Sequence, residues 1–179
     1  MDNLTKADDI LQELNRRFAA YINSIFPFQY EGNVYQLINN YVGSPKMKCQ
    51  VCGNYPITEV SVIESEDYRQ LRLGNDCIDR LTNRKVSKWF KNYRRKRENV
   101  IRNRKYIDEI FLILATSQRN ELAVQMRDCD FEILRLMFKK MVNGVNPNRK
   151  EEQIAECYTR IRKCKERKRE RFLYDIRDM

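Results

Sequence analysis

The chain has no histidine. That removes Ser-His and Cys-His nucleophile pairs and takes away the usual nitrogen ligand of a metal site. It has only five glycines, and none of them sits in a G-x-x-x-x-G-K-[ST] or G-x-G-x-x-G pattern, so the common nucleotide-phosphate loops are excluded too. The H-x-E signature of zinc deaminases is missing as well. No stretch approaches the roughly 18 uncharged apolar residues of a membrane span; the longest apolar run is "IFLILA" at 110–115. The opening "MDNLTKADDI" is acidic and polar, unlike a signal peptide or an Arg-rich transit peptide.

What is present is charge and cysteine. The 179 residues include 35 Lys or Arg against 25 Asp or Glu, a net charge of +10, with 42% hydrophobic residues. The composition is that of a folded chain, and its basic balance suits a polyanionic partner. A chain of this length buries roughly 70% of its unfolded surface. Six cysteines without a secretory signal point to a reducing, intracellular, cytoplasmic setting, where C-x-x-C binds metal or does redox chemistry more often than it forms disulfides.

Apolar periodicity predicts a helix over 5–26, stopped by Pro27. An aromatic-rich connector follows, with a short helix near 33–41. Residues 57–63 and 68–73 read as arms of a β-hairpin around the polar "ESED". A helix begins at Asp76 or Cys77, after Gly74 and Asn75. One helical stripe then runs from Val86 to Ala115 through Phe90, Tyr93, Val100, Ile107, Phe111 and Leu114, with Arg97 and Arg104 in its gaps. A helix over 130–142, capped by Asp128 or Asp130, is followed by a break at "NGVNPN" and a last helix from about 148. In that last helix Cys157 and Cys164 align with Ile154 and Ile161, as small seam residues would.

Two cysteines in "MKCQVCGNYP", Cys49 and Cys52, are followed by Gly53; a third, Cys77, stands 25 residues further on in "LRLGNDCIDR". A tight C-x-x-C-G turn points backbone N–H groups at thiolate sulfurs, and the hairpin then returns the chain to a helix-start cysteine. The order of knuckle, hairpin and helix-start ligand resembles the treble-clef zinc fingers over about residues 46–82. The resemblance implies Zn2+ held by Cys49, Cys52 and Cys77, with a fourth ligand one helical turn after the third. That place holds Arg80 or Leu81, neither a ligand. Asp76, Asp79, Cys129, Cys157, Cys164, a water or a partner chain are all open as the fourth. The competing readings are a redox C-x-x-C, which expects a βαβ context missing here, and a trio of packing cysteines.

The charge is concentrated. Residues 84–105, "RKVSKWFKNYRRKRENVIRNRK", hold eleven Lys or Arg and one acid, Glu98, so this segment alone carries +10. Like charges at i,i+4 repel by a few tenths of a kcal/mol per pair, and phosphates would offset that. Arg84, Lys85, Lys88, Lys91, Arg94, Arg95, Lys96, Arg97, Arg102, Arg104 and Lys105, with Trp89 as a stacking surface, form the expected nucleic-acid contact, for DNA or RNA. A second basic cluster, "RIRKCKERKRER" at 160–171, is weaker, because it reads equally as a solvated helix.

The expectation is a mainly α protein with a small zinc-bearing β-hairpin module (α+β) and a long basic helix after the finger. It divides into an N-terminal helical segment (1–45), the finger (46–82), the basic helix and helical core (83–145) and a C-terminal basic helix (146–179). The expected function is non-enzymatic: a zinc-stabilised nucleic-acid binder. The rival is a zinc-containing adaptor or structural subunit that meets a protein partner or a second copy. A Mg2+ nuclease built on Glu64, Glu66, Asp67, Asp76 and Asp79 is the enzymatic alternative; their crowding at a hairpin tip and a helix start suits turn chemistry better.

Overall fold

The computed structural model describes residues 5–117 and 126–177. In chain order the elements are α1 (Lys6–Asn23), β1 (Phe28–Tyr30), β2 (Asn33–Met47), β3 (Ile57–Ser65), β4 (Gln70–Leu73), α2 (Asn75–Thr82), α3 (Val86–Arg102), α4 (Arg104–Ser117), α5 (Asp128–Val142) and α6 (Arg149–Arg177). The fold is mostly helical with one small antiparallel sheet, an α+β arrangement. The chain forms two compact units, Glu13–Arg94 and Met1–Gln12 with Arg95–Met179; the boundaries fall inside α1 and α3. No helix among the described residues is long and apolar enough to cross a membrane.

The unit of residues 13–94 is built on a sheet of order β1-β2-β3-β4. The hairpin β3–β4 lies where the sequence predicts it, but two more strands precede it. Residues 33–41 are strand, not helix. Tyr30 pairs with Asn33 across the two-residue loop Glu31-Gly32, both at positive φ (47° and 79°). That backbone matches the twist of a tight hairpin and turns β1 straight back into β2. Along β2, Tyr35 is buried and Leu37 and Tyr41 are partly buried in the core, which fits a strand's period of two. Two register shifts, at Leu37/Asn39 and Val42/Met47, curl β2 across β3. Phe26, Tyr35, Val60, Ile63, Leu73, Ile78, Val86 and Phe90 close the core together with Cys49 and Cys77. The rings of Phe18 and Tyr93 stack 4.0 Å apart, as do those of Tyr21 and Trp89.

α3 starts where a distant carboxylate fixes it. Asp79 accepts from the Ser87 backbone N–H (2.8 Å, Oδ1) and from the Ser87 hydroxyl (2.6 Å, Oδ2). One first-turn donor is thereby satisfied from outside the helix. Asp79→Ala is expected to cost about 1 kcal/mol, measured as a shift in the urea midpoint, as for other lost N-terminal caps.

In the second unit, Val100, Ile107, Ile110, Ile113, Leu134, Met137, Met141, Ala155 and Tyr158 are buried. The predicted single helix over 86–115 is two helices that meet at Asn103. Asn99 and Asn103 are buried, and their amides donate to the Met141 carbonyl (2.9 Å) and the Asn99 carbonyl (3.0 Å). The Asn99 carbonyl also accepts the Asn103 backbone N–H (2.9 Å), and the Ile107 N–H bonds the Asn103 carbonyl (2.9 Å), so Asn103 is held twice by one carbonyl where α3 gives way to α4. Asn148 and Glu151 cap α6 reciprocally, each accepting the other's backbone N–H (2.8 and 2.9 Å).

Two expectations for these helices are corrected. Cys157 and Cys164 are exposed; the buried face of α6 runs through Glu151, Ala155 and Tyr158. Its charged member is tolerated because Lys140 pairs with Glu151, and Arg162, further along, pairs with Glu109. The expected Asp cap of α5 is absent: Arg127 occupies the N-cap with no side-chain bond, while Asp130 is buried inside the first turn.

Asp130 carries a pH dependence. Its carboxylate accepts from Arg127 (2.9 and 3.2 Å) and from the Tyr158 hydroxyl (2.7 Å). The Arg127 bond above all, then that of Tyr158, holds its carboxyl below the ordinary 3.8. A depressed folded value means the stabilisation is complete above the unfolded value and is lost as pH falls through the folded one. Asp130→Asn is therefore expected to flatten the acid limb of stability, read as urea midpoints between about pH 5 and pH 2.

Candidate metal centre and basic helix

The candidate metal centre grows from a local turn. The Cys49 N–H donates to the Asn54 carbonyl (2.9 Å), and the Gly53 N–H closes back on the Cys49 carbonyl (3.0 Å). Gly53 sits at φ +76°, a left-handed conformation in which a side chain would be strained. The turn is tied to β4 by the Gln50 N–H on the Arg72 carbonyl (2.9 Å) and the Arg72 N–H on Gln50 Oε1 (2.5 Å). β4 leads into Gly74, whose N–H points at Cys49 Sγ (3.5 Å), and α2 then presents Cys77 within its first turn.

The outcome is that Cys49, Cys52 and Cys77 place their sulfurs within 4.8 Å of one another, with Cys49 and Cys77 buried and Cys52 exposed. Three thiolates on one tetrahedral metal at about 2.3 Å would lie roughly 3.8 Å apart, so small side-chain adjustments suffice to hold an ion. Burial works against ionising Cys49, but the backbone N–H groups of Cys52, Gly74 and Val51 outweigh it and bring the thiol down to about 7. Burial pushes Cys77 up to about 12, with the neighbouring Cys52 and Cys49 sulfurs adding to it. The Cys49 thiolate therefore forms readily, and that of Cys77 needs a cation.

None of the carboxylates considered from the sequence belongs to the cluster among the described residues. Asp79 is committed to Ser87, and Asp76 is exposed. Cys129, Cys157 and Cys164 are exposed and outside it too. One helical turn after Cys77, Arg80 directs Nη2 at Cys77 Sγ (3.8 Å). Tyr30, at the end of β1, feels the same pair. Its hydroxyl is raised chiefly by its hydrogen bond to Glu31, then by burial and the Glu31 charge, with Arg80 opposing and Cys77 adding. Nothing in the cysteine spacing pointed to Tyr30; only the unforeseen β1–β2 hairpin brings it there.

The basic segment separates into two classes. Arg94 is half-buried and bridges Glu59 of β3 and Asn40 of β2, so it ties α3 to the sheet. Arg104 pairs with Asp8 (2.6 Å). Arg84, Lys85, Lys88, Lys91, Arg95, Arg97, Arg102 and Lys105 are exposed and Lys96 is half-buried; among the described residues none of them has an acidic partner. Lys88, Lys91, Arg95 and Arg102 share one helical face by their spacing. Some basic side chains elsewhere do find local acids, as with Arg16 and Arg17 on Glu13, Arg135 on Glu132 and Arg162 on Glu166. Trp89 is 43% exposed, with its ring stacked on Tyr21.

Compared with protein-family models, with curated proteins and with solved structures, the chain matches none.

Proposed function

We propose that the protein is a zinc-stabilised, non-enzymatic nucleic-acid-binding protein. Zn2+ on Cys49, Cys52 and Cys77 would hold the sheet of residues 13–94 and the start of α2 together, and α3 with its flanks would contact DNA or RNA phosphates. Three cysteine sulfurs with no histidine favour zinc or another thiophilic ion over magnesium or calcium, which take oxygen ligands. The observation that carries the nucleic-acid reading is the set of nine Lys and Arg side chains at 84–105 without an acidic partner among the described residues, in a segment whose one acid is Glu98. A solvated helix normally mixes signs; unpaired like charge at this density is what phosphate neutralisation offsets.

A nuclease has less support. Glu64 accepts from Gln70 across the hairpin (2.7 Å), and Glu64, Glu66 and Asp67 belong to no described metal-ligating cluster. The adaptor reading has one observation of its own. Cys157, Ile161 and Cys164 form an exposed line on α6 flanked by Arg160 and Arg167, a face suited to an acidic amphipathic helix. The test between the two is binding of the purified chain to duplex and single-stranded DNA and RNA over a series of salt concentrations. A salt-dependent affinity supports the first reading; its absence at micromolar protein leaves the adaptor.

A further inference from the structure

We infer that the three-cysteine centre keeps its fourth coordination position for a carboxylate from outside the chain, received jointly by the metal and by Arg80. The inference rests on the metal reading above and goes on to name the missing ligand. Three sulfurs converge, and among the described residues no other Cys, Asp or Glu joins them. Of the two carboxylates nearest in sequence to Cys77, Asp76 is exposed and outside the cluster, and Asp79 has both oxygens engaged by Ser87 (2.8 and 2.6 Å). The position one turn after Cys77, where the treble-clef pattern expects a ligand, carries a guanidinium instead.

Arg80 cannot bind a metal, since it offers donors only. It is exposed, Nη2 lies 3.8 Å from Cys77 Sγ, and no ion pair holds it among the described residues. The remaining donors of the fork are thus available beside the sulfur cluster. Cys52, the exposed ligand, shows that solvent reaches the same centre. A guanidinium next to an open metal position selects a ligand with two acceptors on one rigid plane. A carboxylate meets both requirements: one oxygen binds the metal and the other accepts from Arg80 in a charge-assisted hydrogen bond. Zinc accepts carboxylate oxygen alongside sulfur. The carboxylate's source is either a free small acid or an acidic side chain of another protein, and the chemistry at the centre is the same.

The experiment uses the full chain loaded with Co2+ in place of zinc, whose visible ligand-field bands report the coordination shell and whose charge-transfer bands report bound thiolates. Acetate is titrated in, with chloride as the anion that lacks a second oxygen and a blocked Glu-containing peptide as the protein-like source. Expected is a saturable shift of the ligand-field bands with acetate, weaker with chloride. The shift should be reduced about tenfold or more in affinity in Arg80→Met and partly restored in Arg80→Lys, the loss of one charge-assisted bond. Tighter binding of the peptide assigns the source to a protein, and equal binding to a free acid. Arg80 is exposed, so these variants keep the fold, and the unchanged charge-transfer band checks it. Bands that ignore acetate, or that shift equally in Arg80→Met, overturn this inference and leave the metal centre standing. A chain that takes up no Co2+ at all overturns both.

Discussion

Cys49→Ser is expected to lose the metal and unfold the sheet of residues 13–94. The residue is 1% exposed and sits where three elements meet. Its N–H closes the knuckle on Asn54, its sulfur receives the Gly74 N–H, and Cys77 follows at the start of α2. The core around it consists of about a dozen buried side chains, and two of those are the cysteines themselves. A module of this size has little stability to spare without a staple. Structural zinc contributes on the order of 10 kcal/mol to the folding of such modules, against a total stability of roughly 5–15 kcal/mol for a whole domain. Serine removes one thiolate and leaves a hydroxyl that binds zinc poorly. Elemental analysis of the purified, reduced protein should give one zinc per chain in the wild type and far less in the variant. The helical circular-dichroism signal should survive in large part, because Ile107, Ile110, Ile113, Leu134, Met137 and Met141 form a core of their own. Cys157→Ala and Cys164→Ala, both at exposed positions, should leave metal content unchanged. A metal-free wild type whose melting temperature is the same in Cys49→Ser would refute the zinc reading outright.

The features of this site that were legible in the sequence are those set by short-range chemistry. C-x-x-C-G dictates its own turn, "ESED" between β-branched runs dictates a hairpin, and a cysteine just after Gly74 and Asn75 marks a helix start. What was hidden depends on partners far along the chain. Glu59 is 35 residues from Arg94, so nothing local tells that this arginine belongs to the fold and not to the phosphate face. The buried face of α6 was hidden by its own letters: Glu151 and Arg162 are interior because Lys140 and Glu109 meet them, while the apolar line through Ile161 faces out. β2 was obscured because its polar residues break the alternation just where a bulge at Leu37/Asn39 shifts the register. Helix periodicity likewise does not encode the burial of two polar residues, Asn99 and Asn103, at the junction of α3 and α4.

That sorting of the arginines fixes how the nucleic-acid proposal has to be tested. Arg94 is unsuitable, since changing it breaks the bridge to Glu59 and Asn40 and confounds binding with folding. Lys88, Lys91 and Arg95 are exposed, have no acidic partner among the described residues and share one face of α3. Replacing all three with Gln should therefore leave the fold intact, with an unchanged thermal melt as the check. Each phosphate contact releases condensed counterion, so affinity on duplex falls with salt at a log–log slope of about −0.9 per contact. Losing three contacts should flatten that slope by about 2.7 and weaken binding by some hundreds-fold at about 0.1 M salt, for every sequence alike. Trp89→Ala then separates stacking from packing. Tyr21 stacks on the indole at 4.0 Å, yet 43% of Trp89 stays exposed. A loss confined to single strands, roughly 1–3 kcal/mol per base, means that bases stack there. An equal loss on duplex means that Trp89 acts by holding α1 against α3 through the Tyr21 stack. If the triple variant binds with the wild-type slope, the phosphates are met elsewhere and the α3 assignment fails. If the wild type itself shows no salt-dependent binding, the unpaired charges of α3 face an acidic protein surface, and the exposed line on α6 becomes the face to follow.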